Sequence, residues 1–256
     1  MNYRSFLSVT VLLLFVPFGA PAQQPSLPER PPDGGTREVV ISILIPSLPN
    51  APFTGILNTT WVRRLDDGTE ITLKNHRRIS RDKVGRIFQE RRALVPDDGK
   101  SESRVGQIEI SDPVKRELYI CRPVERVCQL EVLTLPEGTD SSILGKKPSN
   151  PGVEQLGKQT MLGVETVGTR EVTLIETGAI GNDRPILTRR EFWYAPQLGV
   201  NLLSVREDPR FGKQKFEFSE LVLDAPDARL FEPPADATIL DLRKPTEIPA
   251  QNSSPN

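Results

Sequence analysis

The chain has 256 residues, with 33 lysines and arginines against 34 aspartates and glutamates, a single histidine and a formal net charge of −1. That balance, with no basic block interleaved with aromatics, excludes a strong electrostatic grip on nucleic acid, which depends on neutralising many phosphates. Two cysteines and one distant histidine do not make a zinc site, and no cofactor is expected.

The elements follow in chain order. Arg4 is followed by an apolar run from Phe6 to Phe18, interrupted by Pro17, and then by Gly19-Ala20-Pro21-Ala22. A short positive region, an apolar core and a small-x-small site form a secretory signal peptide over residues 1–22, with cleavage before Gln23. The run is shorter than the ~20 residues that cross a bilayer, so no transmembrane span is expected after cleavage. The mature chain loses only Arg4 among its charges and stays near neutral. Its location is expected to be periplasmic or extracellular. Residues 23–36 form a Pro-rich arm and residues 243–256 a polar tail, neither able to bury a core. Residues 37–242 have the length of one β domain.

Val39 to Ile45 reads as a first buried strand or a short helix over the sheet. Alternating runs then recur between turn signals. Ile56 to Leu65 ends at Asp66-Asp67-Gly68, and Thr69 to Ser80 follows, with Ile71, Leu73 and Ile79 on one face and Thr72, Lys74, His76 and Arg78 on the other. Asp82-Lys83-Val84-Gly85 turns the chain into Arg86 to Val95. Strands are expected over Val105 to Ser111, Glu117 to Arg122 and Val127 to Leu133, with Asp112-Pro113 opening the first of the intervening turns. A long loop, Pro136 to Pro151, separates these from Gln155 to Thr160, Val164 to Glu176, Pro185 to Tyr194, Val200 to Glu207 and Phe216 to Leu223. Pro226 to Phe231 fits a single helical turn, stopped by Pro233-Pro234. About ten strands with short turns and little helical periodicity predict a mainly β fold, an antiparallel meander curled into a sandwich, barrel or half-barrel.

Cys121 and Cys128 flank the turn Arg122 to Val127. A hairpin centred on Val124 and Glu125 sets them directly opposite, at the separation a disulfide needs, and export supplies the oxidising compartment. Arg63, Arg77 and Arg92 fall on the alternation of apolar residues. They are either strand-end stems lying along apolar surface or polar contacts inside a cavity. The pairs Arg77-Arg78 and Arg91-Arg92 read as a solvated strand face.

Catalytic signals are weak. His76 lies mid-strand beside Lys74 and Arg78, and no Gly-x-Ser-x-Gly, His-Glu-x-x-His, P-loop or Gly-x-Gly-x-x-Gly motif occurs. A glycosidase needs only two carboxylates. Glu191, beside Trp193, is the acid to examine, and a second acid near it in an open cleft would point to a hydrolase.

The segments Trp61 to Leu73, Arg81 to Arg92, Ile110 to Val114, Gly157 to Glu165, Phe192 to Val200 and Asp208 to Gly212 resemble an uncharacterised family of exported proteins of acidobacterial type, over most of Pro52 to Asp236. That family is similar, more loosely, to outer-membrane lipoprotein carrier and lipoprotein-sorting proteins. The cue is the Trp193-Tyr194-Ala195-Pro196 strand end followed by Gly199-Val200. The resemblance implies an open antiparallel half-barrel with an apolar concave face that takes acyl chains. Carrier proteins close it with several helices, and here only short helical turns are read.

These readings give a non-enzymatic envelope binding protein holding a lipid or lipoprotein acyl chain, with Leu57, Trp61, Ile71, Leu73, Phe88 and Trp193 from one face of neighbouring strands as the expected lining. The alternative is an envelope interaction or scaffold module without a pocket, whose partner is another envelope protein.

Overall fold

The computed structural model describes residues 42–134 and 152–243. The expected signal peptide, Pro-rich arm and loop from Pro136 to Pro151, and nearly all of the expected tail, lie outside the described residues. The described chain is mainly β, one open curved half-barrel sheet of 13 strands. In chain order these are β1 (Phe53–Arg64), β2 (Glu70–Arg81), β3 (Ile87–Arg92), β4 (Val95–Pro96), β5 (Val105–Asp112), β6 (Glu117–Arg122), β7 (Val127–Val132), β8 (Val153–Met161), β9 (Val164–Ile175), β10 (Ile186–Ala195), β11 (Val200–Asp208), β12 (Gly212–Val222) and β13 (Thr238–Asp241). A 3₁₀ turn, Ala228–Phe231, is capped by the Asp227 side chain, which accepts from the Arg229 N–H. No helix among the described residues is long and apolar enough to cross a membrane.

The spatial order is β13-β7-β6-β5-β3-β2-β1-β12-β11-β10-β9-β8, with β4 pairing β2. Two hairpin meanders thus run outward from a central pair, β1 and β12, the first and last long strands. β13 departs from the expected antiparallel pattern. It follows Pro233-Pro234 and pairs parallel to β7, Thr238 beside Val127 and Asp241 beside Leu130. Nothing local in four residues announces such a strand.

Turn chemistry sets most strand ends. Leu65 and Gly68 close the first hairpin, with Gly68 at φ 85°, a conformation glycine adopts without penalty. The turns after β5 and β6 repeat one pattern, Pro-Val-Lys-Arg and Pro-Val-Glu-Arg, and each ends on an arginine at positive φ, Arg116 and Arg126. That second turn places Cys121 directly opposite Cys128, and the two are bridged with a Cα–Cα separation of 3.9 Å. Both are fully buried. The closed loop is short, so replacing both by serine is expected to cost about 2 kcal/mol, at the low end for disulfides. Denaturant unfolding of the two proteins without reductant checks this.

Packing occupies both faces. Directly paired residues share a face and successive residues alternate. The inner face carries Phe53, Leu57, Ile79, Leu202, Phe216 and Phe218, all essentially inaccessible. A smaller core on the outer face joins Phe88 and Ile110 to Phe231 of the 3₁₀ turn, flanked by Ile108, Tyr119 and Leu230. The segment Ser42 to Leu48 is neither strand nor helix. It lies as irregular chain with Ile43 and Ile45 buried and Leu44 exposed, and it covers one end of the inner face.

Candidate functional site on the inner face

Register separates the six expected lining residues. Leu57 and Trp61 pair with Arg77 and Leu73, and Ile71 follows on the same side opposite Arg63. Phe88 pairs with Ser80, which alternates with Ile79, so Phe88 faces outward. Trp193 pairs with Leu203, Leu203 with Glu217 and Glu217 with Asn58, which places Trp193 outward as well. Four of the six therefore share the inner face and two do not. Alternation within one strand fixes relative faces only; which face a neighbouring strand contributes depends on register. Next to Trp193 the ladder also slips, between Trp193 and Tyr194.

Among the inner four, Leu57 is packed at 0% exposure and Trp61 at 5%. The Trp61 indole N–H donates to the Phe211 carbonyl at 2.6 Å. Ile71 is 37% exposed and Leu73 half-buried. On the far side of the floor, Phe192, Ile186 and Ile175 are half-buried on the same face.

Guanidinium groups stand among these apolar residues. Arg81 lies over the Phe53 ring at 4.9 Å, Arg63 over Trp61 at 5.3 Å, Arg206 over Phe216 at 5.4 Å and Arg190 over Phe192 at 4.9 Å. Such stacking suits arginine, whose planar, weakly hydrated cation tolerates partial burial. Arg77 is buried and donates to Ser42 Oγ at 2.7 Å and, at 3.5 Å, to Gln89. Burial, then repulsion from Arg91, pushes its pKa down to about 10 against the pull of Glu109. Arg91 forms a two-pronged pair with Glu109 at 2.9 and 2.7 Å. Burial and then Arg190 lower Arg206 likewise.

Of the three arginines on the apolar alternation, Arg63 and Arg77 thus belong to the inner face. Arg92 instead pairs with Glu90 at 2.8 Å on the outer one. Arg77 is no part of a solvated face, because its partners are Ser42 and the floor.

A second feature is an open groove of about 390 Å³ lined by the outward-facing Arg170, Val172, Arg189, Glu191, Val205 and Glu207 and reached also by Arg190, which register places on the inner alternation. Glu191 accepts from the Trp193 indole N–H at 2.9 Å and from Arg170 at 3.0 Å, and Arg170 also holds Glu154 at 2.9 Å. The Trp193 hydrogen bond and then Arg170 outweigh burial and hold the Glu191 carboxyl below its ordinary range. Glu207, the other acid of the groove, is paired with Lys213 at 2.8 Å. A glycosidase general acid requires a raised pKa, so Glu191 is tuned in the opposite direction. The Trp193 ring rests on Gly168, where a Cβ would approach it to 2.7 Å. His76 is exposed opposite Asn58.

The buried arginines and the two-faced division of the aromatics were not visible in single-strand alternation. The interruption of apolar patterning by Arg63 and Arg77 was the available signal.

No protein-family model matches the chain, and no curated protein matches it in sequence. Solved structures match at low identity. An uncharacterised conserved protein from Thermus thermophilus is 10% identical, over 75% of this chain and 91% of that one, with a TM-score of 0.40. A chain of the Pseudomonas aeruginosa MucA/MucB complex is 13% identical, over 74% of this chain and 58% of that one, at 0.34. A LolA superfamily protein from Nitrosomonas europaea is 11% identical, over 72% and 91%, at 0.31. Each of these likenesses is loose and concerns the fold alone.

Proposed function

We propose that the protein is a non-enzymatic, exported binding protein of the cell envelope that holds an acyl-chain ligand on the inner face of its half-barrel. The observation that carries this reading is the partly uncovered apolar surface of that face. Ile71 and Leu73 on one flank, and Phe192, Ile186 and Ile175 on the other, continue a floor that is otherwise closed. Each methylene withdrawn from water against such side chains contributes roughly 0.8 kcal/mol. Ligand contact falls to these half-exposed residues, because Leu57 and Trp61 are already occupied by the core.

The same closed floor favours a second reading, an envelope interaction or scaffold module that binds a partner protein without a pocket. Titration calorimetry with dodecanol separates the two. The mature protein is expected to bind it, and Ile71→Gln with Leu73→Gln to weaken binding by about tenfold or more, with little change in unfolding midpoint because both side chains are partly exposed. Absence of dodecanol binding to the unmodified protein would favour the interaction module.

A further inference from the structure

We infer that one end of the half-barrel, formed by the tips of the β1–β2, β11–β12 and β9–β10 hairpins, is a docking surface for a lipid bilayer. The inference rests on the acyl-chain reading above and names the surface from which such a ligand is taken.

The two ends of the inner face differ. At one end the Ser42–Leu48 segment covers it, held where Ser47 Oγ donates to the Gly85 carbonyl at 2.8 Å and Arg81 to the Pro46 carbonyl at 2.9 Å. The other end carries three tips side by side, because β2, β1, β12, β11, β10 and β9 are successive strands of the sheet. Val62 pairs with Lys213, Asp208 with Gly212 and Ile175 with Ile186, so all three turns point the same way. Here the floor stays partly uncovered, with Ile71 exposed and Leu73 half-buried. Leu65 lies two residues beyond Arg63, the partner of Ile71. Apolar surface thus continues from the floor onto the tips, and a chain leaving a bilayer docked there meets it directly.

Each tip presents apolar side chains to water: Leu65 at 41% and Phe211 at 52% exposure, with Ile180 and Leu187 on the third hairpin. Phe211 is fixed in that position. Its N–H donates to the Asp208 carbonyl at 3.0 Å, and its carbonyl accepts from the Trp61 indole at 2.6 Å. Asp208 also holds Arg210 through two hydrogen bonds of 2.9 and 2.6 Å, and the Arg210 guanidinium lies over the Phe211 ring at 5.1 Å. An apolar ring flanked by an arginine that keeps its charge in water suits the boundary between acyl chains and head groups.

The relief of this end favours a fluid partner. Its apolar side chains stand on separate turns with charged residues between them, so they form no flat continuous patch of the kind a protein partner packs against. Acyl chains fill around each tip independently. The charges at the tips are mixed in sign: Arg64 is close in sequence to Asp66 and Asp67, Arg184 adjoins Asp183, and Arg210 is paired with Asp208. Attraction to anionic head groups therefore adds little, and apolar insertion drives the association.

The test mixes the mature protein with phosphatidylcholine vesicles and reads the bound fraction by flotation, before and after Leu65→Gln with Phe211→Gln. Val84→Gln with Leu162→Gln is the control. Both control residues are exposed apolar side chains, but their turns lie at the opposite end, beside the Phe53–Arg81 and Met161–Val164 pairs. The unmodified protein is expected to bind. The tip variant is expected to lower vesicle partitioning about tenfold or more, because two large apolar side chains no longer leave water. The control is expected to stay within about twofold, and added salt to change binding by no more than about twofold. Phe211 engages Trp61 through its main chain, so the tip variant is expected to keep its unfolding midpoint and its dodecanol affinity. No vesicle binding by a protein that binds dodecanol would overturn the inference and leave the acyl-chain reading standing. Equal losses in the tip variant and the control would overturn it as well, as would binding that requires anionic lipid and disappears in salt. Vesicle binding that the tip variant loses, by a protein that does not bind dodecanol, would uphold the docking surface and overturn the acyl-chain reading.

Discussion

Arg81→Met is expected to destabilise the protein by about 3 kcal/mol or more, read as a fall in denaturant midpoint at unchanged slope. Arg81 is the largest side chain buried without exposure, and among the described residues it has no acidic partner. Its three nitrogens donate instead to backbone carbonyls: Nε to Ala51 at 2.9 Å, one terminal nitrogen to Pro46 at 2.9 Å and the other to Leu198 at 2.6 Å. One side chain thus ties the irregular Ser42–Ala51 segment and the β10–β11 turn to the end of β2. Burial lowers its pKa to about 10, so the group remains charged at neutral pH. Methionine matches the stem and removes the donors, leaving three carbonyls short of a partner. Buried acceptors left unsatisfied cost on the order of 1–3 kcal/mol each, partly offset by no longer burying a charge. Arg81→Lys is expected to recover less than half the loss, because one ammonium cannot reproduce the planar fork. A loss below about 1 kcal/mol for Arg81→Met would show that the covering segment is held by its own apolar contacts.

Gly212→Ala is expected to cost about 3 kcal/mol, through the backbone rather than through any contact of the glycine itself. Gly212 opens β12 at φ 82°, a left-handed conformation that penalises any residue with a Cβ. A Cβ there would also meet the Val62 carbonyl oxygen at 2.2 Å and the Arg63 Cα at 3.1 Å. Both contacts are to the main chain of β1, so no rotamer change relieves them, and the central β1–β12 pairing must shift. Gly163→Ala serves as the control. Its φ is 80° and nothing lies within 4 Å of the added Cβ, so it is expected to show the conformational penalty alone, about 1–2 kcal/mol. Equal losses at the two positions would show that β1 accommodates the methyl group.

The meander was legible because its punctuation is local. Asp66-Asp67-Gly68, Asp82 to Gly85 and the two Pro-Val-x-Arg turns fix strand ends by their own backbone preferences, and β6 spans the expected Glu117–Arg122. The cysteine pairing followed from the same turn. Long-range pairing was not legible in that way. β13 exists because β7 offers an edge, and the faces of Phe88 and Trp193 depend on register with distant strands and on a ladder slip beside Trp193. Arg81 follows the expected strand Thr69 to Ser80, and nothing in the sequence marks it for burial. Its burial arises only when carbonyls from two separate segments, Ser42–Ala51 and the β10–β11 turn, converge on it. The inner-face arginines left one trace, a break in apolar alternation at Arg63 and Arg77, whereas the partnership of Arg190 with Arg206 needs the β10–β11 register.

Native mass spectrometry of the mature protein, isolated from an exported fraction without reductant, tests the central claim most directly. The expected result is a population carrying extra mass that leaves on collisional activation as an acyl-chain amphiphile, with Cys121 and Cys128 oxidised in every species. A clean apo mass that stays unchanged after incubation with dodecanol would contradict it.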